Sequence, residues 1–476
     1  MRTSLKLFIV VSFLFGLVFT GFISAQTKLP LANKWTGKLE IGGMELRIVF
    51  NVEEQENGEF TATLDSPDQG AFDIPVASVT VDGNKVKFDV SSINGVYEGI
   101  LNRDSLIIDG KWTQGGQSFP LKLTKTNETF KQNRPQEPEK PYPYKSENVY
   151  FYNDKAKITL AGTLTLPESD TIKAAAILIS GSGPQDRNET IMGHKPFLVL
   201  SDYLTRNGIA VLRFDDRGVA ESEGDFQVAT TFDFVDDVEA AVKYIKTRSE
   251  LKNAKFGLIG HSEGGLIAPI VANDLDDIFF VVLMAAPGVR GDSLLYLQQR
   301  AIGKASGFND ERLNENEKVN RELFKLILNN YSDEEIKPEM RTILTKYVKW
   351  MQQRGYIGSE SNEDYINRQI SILLSPWFKT FVKYDPQNEL EKLKCYVLAI
   401  NGEKDLQVTP KVNLGAIKQA LQKGGNSKYL IKEFKGLNHL FQTAKTGLPG
   451  EYSQIEETFS PKVLKFITDW INKIVN

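Results

Sequence analysis

A serine between glycines is the residue of this sequence best suited to covalent catalysis. Residues 260–264 read Gly-His-Ser-Glu-Gly and match the pattern G-x-S-x-G, in which small residues make room for a cramped turn from a strand into a helix. The apolar residues at 256–259 are typical of a buried strand, and those at 265–268 favour a helix. Because such a turn exposes its hydroxyl above the sheet, we predict that Ser262 is a nucleophile.

A serine hydroxyl reacts only when a base removes its proton, and three histidines are available for that role. His261 adjoins Ser262, and neighbouring side chains on a turn point apart, so we expect His261 to pack or to form a wall of the site. His194 lies near the start of a helix, where we expect a surface or substrate-side role. His439 follows a predicted strand at 429–431, on a loop at the carboxyl edge of the sheet. We therefore predict that His439 is the general base.

The base in turn needs a carboxylate that fixes its tautomer and stabilises the imidazolium ion. Residues 401–405 read Asn-Gly-Glu-Lys-Asp and follow a predicted strand at 396–400, again at the carboxyl edge. Glu403 and Asp405 are both within reach of His439. We predict Asp405, which lies farther beyond the strand end.

Two backbone amides are predicted to stabilise the oxyanion that forms when the serine attacks. One is the N–H group of Glu263, directly after the nucleophile. The other is expected from the glycine-rich loop at 180–184, where we select Ser182. This loop does not fit a dinucleotide-binding motif, because Asp186 stands where G-x-G-x-x-G requires a glycine.

The elements that position these residues alternate between strands and helices from about residue 146 onward. Strands that are apolar on both faces are predicted at 174–179, 209–214, 256–259, 279–284, 396–400 and 429–431. Amphipathic helices between them predict a mostly parallel sheet that is covered on both faces.

A stretch of about a hundred residues interrupts this alternation. Residues 291–385 read as helices, and in a parallel-sheet fold such an insertion is expected to form a lid over the carboxyl edge. We predict that Trp377, Phe378 and Phe381 of the lid line an acyl pocket.

The amino-terminal part reads as three further segments. Residues 1–25 carry Arg2 and Lys6 ahead of an apolar run, as in a cleaved signal peptide, which predicts export and no stable membrane anchor after cleavage. Residues 27–128 alternate with a period of two, as in a small β-sandwich or barrel. The prolines at 129–145 predict a linker without packed structure, so that the α/β domain spans 146–476.

Composition excludes several classes of function. The chain carries 57 Lys and Arg against 61 Asp and Glu, so we expect no binding of nucleic acid by phosphate neutralisation. A single cysteine, Cys395, excludes an intrachain disulfide and a thiolate metal cluster. The three histidines are widely separated, so we predict neither a metal site nor a cofactor, and we expect a small molecule as the partner.

Four segments together resemble exported bacterial α/β-hydrolases of the carboxylesterase and serine-aminopeptidase-like group, some of which carry an amino-terminal β domain. They are ISGSGPQDR at 179–187, FDDRG at 214–218, GHSEGG at 260–265 and SPWF at 375–378. The resemblance covers about 146–476 and implies an α/β-hydrolase fold with a Ser–Asp–His triad at Ser262, Asp405 and His439. Ser180 is a departure, since many such hydrolases have histidine before the first glycine.

The resemblance implies a secreted serine hydrolase that cleaves carboxylic esters through an acyl-enzyme. The same triad also serves in peptidases and aminopeptidases, which would require a carboxylate in the lid to bind the amino terminus of a substrate. A binding protein that retains the fold without activity is a third reading.

Overall fold

The computed structural model describes residues 30–41, 44–114, 117–128, 133–169, 171–329, 331–357 and 362–476. The predicted signal peptide at 1–25 and the first four residues of the predicted linker lie outside these ranges. No helix within them is both long enough and apolar enough to cross a membrane.

The amino-terminal residues form an antiparallel sheet of nine strands, in the order β4-β3-β2-β1-β9-β8-β7-β6-β5. Its strands are β1 Lys34–Ile41, β2 Met44–Glu54, β3 Phe60–Ser66, β4 Ala71–Pro75, β5 Ser78–Asp82, β6 Lys85–Val90, β7 Gly95–Asn102, β8 Ile107–Gln114 and β9 Gln117–Thr126. In β6 the alternation places Val86, Phe88 and Val90 inside and Lys85 and Lys87 outside. This period of two is what a sheet with one buried face requires.

The second sheet has eight strands, in the order β10-β11-β13-β12-β14-β15-β16-β17. They are β10 Tyr144–Asn153, β11 Ile158–Pro167, β12 Ala174–Ile179, β13 Ile209–Phe214, β14 Lys255–His261, β15 Ile278–Met284, β16 Tyr396–Gly402 and β17 Tyr429–Phe434. Strand β11 pairs antiparallel with both of its neighbours, β10 and β13. All other neighbouring strands, from β13 across the sheet to β17, pair in parallel. Every residue of β12 and β13 is buried, as expected for central strands covered on two faces.

Helices cover both faces of this sheet. They are α1 Pro196–Arg206, α2 Thr231–Lys246, α3 Gly264–Asp274, α4 Gly291–Ala305, α5 Asp310–Leu328, α6 Asp333–Gln353, α7 Asn362–Leu373, α8 Pro376–Lys383, α9 Gln387–Lys392, α10 Pro410–Lys423 and α11 Pro461–Val475. The apolar side chains of α1 and α11 pack on one face, and those of α2, α3 and α10 pack on the other.

Helices α4 to α8 all lie in the connection between β15 and β16 and share an apolar core of their own. Their position matches the predicted lid. The mostly parallel sheet, the helices on both faces, the inserted helices and the preceding all-β sheet confirm the predicted fold class.

The segment before β10 is packed, in contrast to the predicted linker without packed structure. The Arg134 guanidinium donates to the carbonyl oxygens of Gly193 and Ile455 at 3.1 and 2.8 Å. The Gln136 side chain donates to the Phe459 carbonyl and accepts from the Phe459 amide. Proline content disfavours regular structure, but it does not prevent intervening polar side chains from satisfying the backbone of a neighbouring loop.

His194 belongs to this buried region, and the expected surface or substrate-side role is wrong. Its ring is fully buried, with Nδ1 2.9 Å from the Thr458 hydroxyl and Nε2 2.9 Å from the Tyr452 carbonyl. Burial, with a smaller contribution from the charge of Arg134, lowers the pKa of His194 to about 4. The native protein therefore holds this imidazole neutral at a pH where the unfolded chain protonates it.

The stability of the protein should therefore fall as the pH is lowered from about 6.5 to 4, because protons then bind the unfolded state in preference. The difference in pKa corresponds to a loss of about 3 kcal/mol in the free energy of unfolding. His194→Gln should flatten this part of the profile in chemical denaturation at stepped pH. An unchanged slope in the variant would contradict the assignment to His194.

Candidate active site

Ser262 lies on a turn that only glycine neighbours permit. It follows the end of β14, precedes α3 and has a left-handed backbone with φ +51°. A Cβ atom on Gly260 would lie 2.1 Å from the Gly264 carbonyl oxygen, and one on Gly264 would lie 2.2 Å from the Ile179 carbonyl oxygen. The motif therefore reflects backbone segments in direct contact, and the strain at Ser262 is of the kind found at functional sites.

Asp405 and His439 form a direct hydrogen bond between the ends of two adjacent strands. His439 Nδ1 lies 2.8 Å from Asp405 Oδ2, and both side chains are buried. The other carboxylate oxygen of Asp405 accepts the backbone N–H groups of Gln407 and Val408 at 2.8 and 2.9 Å. Since every carboxylate oxygen has a partner, the orientation of Asp405 is fixed and Nε2 of His439 is left for another group.

The loop that carries His439 is held by close backbone packing against β16. A Cβ atom on Gly402 would lie 2.3 Å from the Leu437 carbonyl oxygen, so this approach requires glycine. The Asn438 side-chain oxygen accepts the N–H groups of Leu440 and Gln442, which closes the turn around the histidine. The alternative carboxylate, Glu403, accepts from the Gly436 amide and has no contact with the imidazole.

The two amides that were selected for the oxyanion have no other role in the described part of the chain. Among the described residues, neither the N–H group of Ser182 nor that of Glu263 donates a hydrogen bond to a protein group. The adjacent amide of Gly181 is occupied, since it donates to Glu189 Oε1 at 2.8 Å. The amides of Ser182 and Glu263 are therefore available to donate to an anion above Ser262, whereas the amide of Gly181 is not.

The Glu263 side chain joins three parts of the site in a way that sequence reasoning missed. Its carboxylate accepts the hydroxyl of Ser182 at 2.8 Å, the hydroxyl of Thr231 at 2.6 Å and the indole N–H of Trp377 at 2.9 Å. Burial raises the pKa of Glu263, although the three donors act in the opposite direction. One carboxylate thus connects the glycine-rich loop, the start of α2 and the lid.

A second buried carboxylate, Glu189, was also missed. Its Oε1 atom lies 2.8 Å from His261 Nδ1, and His261 Nε2 lies 3.0 Å from the carbonyl oxygen of His439. Burial alone would lower the pKa of His261, but the charge of Glu189 and these acceptors outweigh it and raise the pKa. His261 therefore acts as a double donor that braces the loop of the general base.

The motif at 214–218 anchors the glycine-rich loop, a role that its sequence alone did not indicate. Asp216 accepts the Ser180 hydroxyl at 2.8 Å and the Gln185 amide at 3.0 Å. Asp215 accepts the backbone and guanidinium N–H groups of Arg187. The sequence shows two adjacent acidic residues at a strand end, but it does not show which loop they bind.

A cavity of about 370 Å³ lies above the sheet edge and is shared by Ser182, Ser262 and His439. Two of the three predicted pocket residues, Trp377 and Phe381, line it together with Leu294 and Leu295 of α4. The prediction for Phe378 differs from the structure, because this ring does not line the cavity and packs in the core of the lid. Its centroid lies 5.6 Å from that of Phe324. Adjacent residues of a helix point about 100° apart, so Phe378 diverges from Trp377, whereas Phe381, four residues on from Trp377, shares its face.

The described residues contain no group of three or more His, Cys, Asp or Glu side chains that could hold a metal ion. The acidic and imidazole groups of the site are instead hydrogen bonded to one another, to backbone groups, or to hydroxyl and indole side chains.

The sequence is similar to known proteins over part of its length. A family model described as serine aminopeptidase, S33, matches residues 196–353. The chain is 27% identical over 319 residues to the esterase EstD of Thermotoga maritima, and the match covers 66% of each protein.

Two solved structures are also similar to the chain. The esterase Pf2001 of Pyrococcus furiosus is 14% identical with a TM-score of 0.41, over 72% of this chain and 97% of that one. Est1E of Butyrivibrio proteoclasticus, solved with ferulic acid, is 14% identical with a TM-score of 0.38, over 68% and 96%.

Ser262 follows β14, the fifth strand of the second sheet, while Asp405 follows β16 and His439 follows β17. This order of serine, acid and histidine along the chain is the order found in α/β-hydrolase folds. The chain therefore has the α/β-hydrolase fold, and its sequence is similar to a serine aminopeptidase family over 196–353 and to the esterase EstD.

Proposed function

We propose that this protein is an exported serine esterase that cleaves carboxylic esters through an acyl-enzyme. The observation that carries the proposal is the buried hydrogen bond between Asp405 and His439, in a cavity that also exposes Ser262. The positively charged, apolar pattern of 1–25 supports export to the periplasm or the cell exterior.

In the proposed reaction, Ser262 Oγ attacks the ester carbonyl carbon while Nε2 of His439 takes the hydroxyl proton. Asp405 keeps the other ring nitrogen protonated and stabilises the imidazolium that forms. The ester C–O bond then breaks, and His439 returns the proton to the leaving alcohol. Water repeats the sequence on the acyl-enzyme, which releases the carboxylic acid and restores the serine.

The unoccupied amides of Ser182 and Glu263 support a role as oxyanion donors. Such donors stabilise the charge that develops on the carbonyl oxygen, and the loss of one typically costs about 10² to 10³ in turnover. Glu263 then has two separate functions, because its backbone faces the reaction while its carboxylate holds Ser182 and the lid tryptophan.

The charge of the cavity favours an ester over a peptide with a free amino terminus. Among the described residues that line it, Glu189 alone carries a carboxylate, and that group already accepts from His261 and Gly181. The acidic residues that the sequence offered in the lid do not line the cavity. An ammonium group would therefore be desolvated without a free counter-charge, which is costly. The similarity to the esterase EstD supports the same choice.

Purified protein should hydrolyse 4-nitrophenyl acetate efficiently and should hydrolyse aminoacyl 4-nitroanilides poorly, because the cavity has no free carboxylate for the amino group. Ser262→Ala should lower ester turnover by about 10⁴-fold or more, and Ser306→Ala, at an exposed serine after α4, should leave it unchanged. Mass spectrometry after treatment with a fluorophosphonate should locate the label on Ser262.

Efficient anilide cleavage with poor ester turnover would reverse the proposal in favour of an aminopeptidase, and absence of labelling would indicate an inactive binding protein.

Removing the carboxylate of Glu263 should weaken both stability and catalysis. Glu263→Ala leaves the buried Thr231 hydroxyl and the more exposed Ser182 and Trp377 donors without this acceptor, and should lower the free energy of unfolding by about 1 to 3 kcal/mol, with a fall in kcat. Glu263→Gln retains an oxygen for the Trp377 indole and should lose much less. Denaturant unfolding of both variants, of Trp377→Phe and of the double variant Glu263→Gln/Trp377→Phe completes a double-mutant cycle. The cycle measures the coupling energy between Glu263 and Trp377. Equal stability of wild type and Glu263→Ala would rule out this bracing role.

A further inference from the structure

A second cavity, of about 330 Å³, lies inside the lid between α4, α5, α6 and α7. Side chains of the apolar lid core, Leu323, Leu344 and Leu373 among them, line part of it, and the reaction described above does not use it. We call it the lid cavity.

The lid cavity adjoins the catalytic cavity along α4. Leu294 and Leu295 face the catalytic cavity, Ile302 and Gly303 face the lid cavity, and Gln298 lines both. Because a helix rises about 1.5 Å per residue, the distance along α4 from Leu295 to Ile302 is about 10 Å. The two cavities therefore share the Gln298 side chain and open about two helical turns apart along α4.

The polar lining of the lid cavity consists of amides and phenols. Among the described residues, the side-chain amides of Gln298 and Gln369 and the hydroxyl of Tyr365 have no hydrogen-bond partner in the protein. Asn316 accepts the Tyr347 hydroxyl at 2.6 Å, which leaves its NH₂ group free to donate. Such groups donate and accept at the same time, as the hydroxyl groups of a ligand do.

No described residue that lines the lid cavity carries a charge. A carboxylate, phosphate or ammonium group would therefore enter without a counter-ion. The remaining lining is apolar and aromatic, with Phe308, Leu344, Leu373 and the rings of Tyr347 and Tyr365. This combination suits a ligand with neutral hydroxyl groups on its edges and C–H groups on its faces.

We propose that the lid cavity binds the carbohydrate portion of the substrate, an uncharged sugar whose hydroxyl is esterified, while the acyl group occupies the apolar catalytic cavity. This inference rests on the proposed esterase function. The acyl carbon is transferred to Ser262 Oγ as its bond to the sugar oxygen breaks, and that oxygen receives the proton from His439. The sugar then leaves as the free alcohol.

The test compares an acetylated disaccharide with 4-nitrophenyl acetate, which carries the same acyl group and is too short to fill the lid cavity. Tyr365→Phe and Gln369→Leu, alone and combined, remove hydrogen bonds from α7 without reaching the catalytic cavity. The combined variant should raise KM for the acetylated disaccharide about tenfold, with kcat and the aryl acetate kinetics within twofold of wild type. Tyr331→Phe/Gln353→Leu is the matched control, since both residues are exposed on the lid and outside the lid cavity.

The outcomes separate the two proposals. Hydrolysis of aryl acetate with no change in KM for the sugar ester, or an equal change for both esters, overturns the carbohydrate proposal alone. A selective effect on a neutral acetylated peptide instead of the sugar ester also overturns it. Failure of the wild-type enzyme to hydrolyse any ester overturns the proposed function and this inference with it. If the combined variant unfolds, as judged by circular dichroism, Tyr365→Phe alone decides, because it removes a single oxygen atom.

Discussion

The close backbone packing around Ser262 is the constraint on which the rest of the site depends. With no side chains on Gly260 and Gly264, the end of β14 and the start of α3 approach each other and the end of β12 to within contact distance. The serine is forced into a left-handed conformation, and it lines the cavity above the sheet edge. The positions of the amides of Ser182 and Glu263 relative to that hydroxyl follow from the same contacts.

Two buried carboxylates connect this centre to the loop of His439 and to the lid. Glu189 connects the glycine-rich loop to His261 and, through it, to the backbone of His439. Glu263 connects the same loop to the lid through Trp377. Charge-assisted hydrogen bonds of this kind are strong in a buried setting, and a missing partner is costly there. The glycine-rich loop with Ser182, the loop of His439 and the lid are thus joined by hydrogen bonds to these two carboxylates.

The sequence was sufficient for features that depend on local pattern. The apolar runs at 174–179 and 209–214 predicted strands with the bounds that the structure shows, and glycine spacing indicated the turn at Ser262. The pairing of Asp405 with His439 was predicted because a motif and a strand end mark each residue, but contacts between distant segments that no motif marks were not predictable. Nothing local distinguishes Glu189, 72 residues from His261, from an exposed acid, and Phe378 faces the lid core because of how α5 and α8 pack. The packed segment at Arg134 was missed for the same reason.

The most direct test of the account is a crystal structure of the enzyme after reaction with a phosphonate ester that mimics the tetrahedral intermediate. The account predicts phosphorus bonded to Ser262 Oγ, one phosphoryl oxygen within hydrogen-bond distance of the Ser182 and Glu263 amides, and His439 Nε2 facing the serine oxygen. Phosphorus on another residue, or a phosphoryl oxygen directed away from both amides, would contradict it.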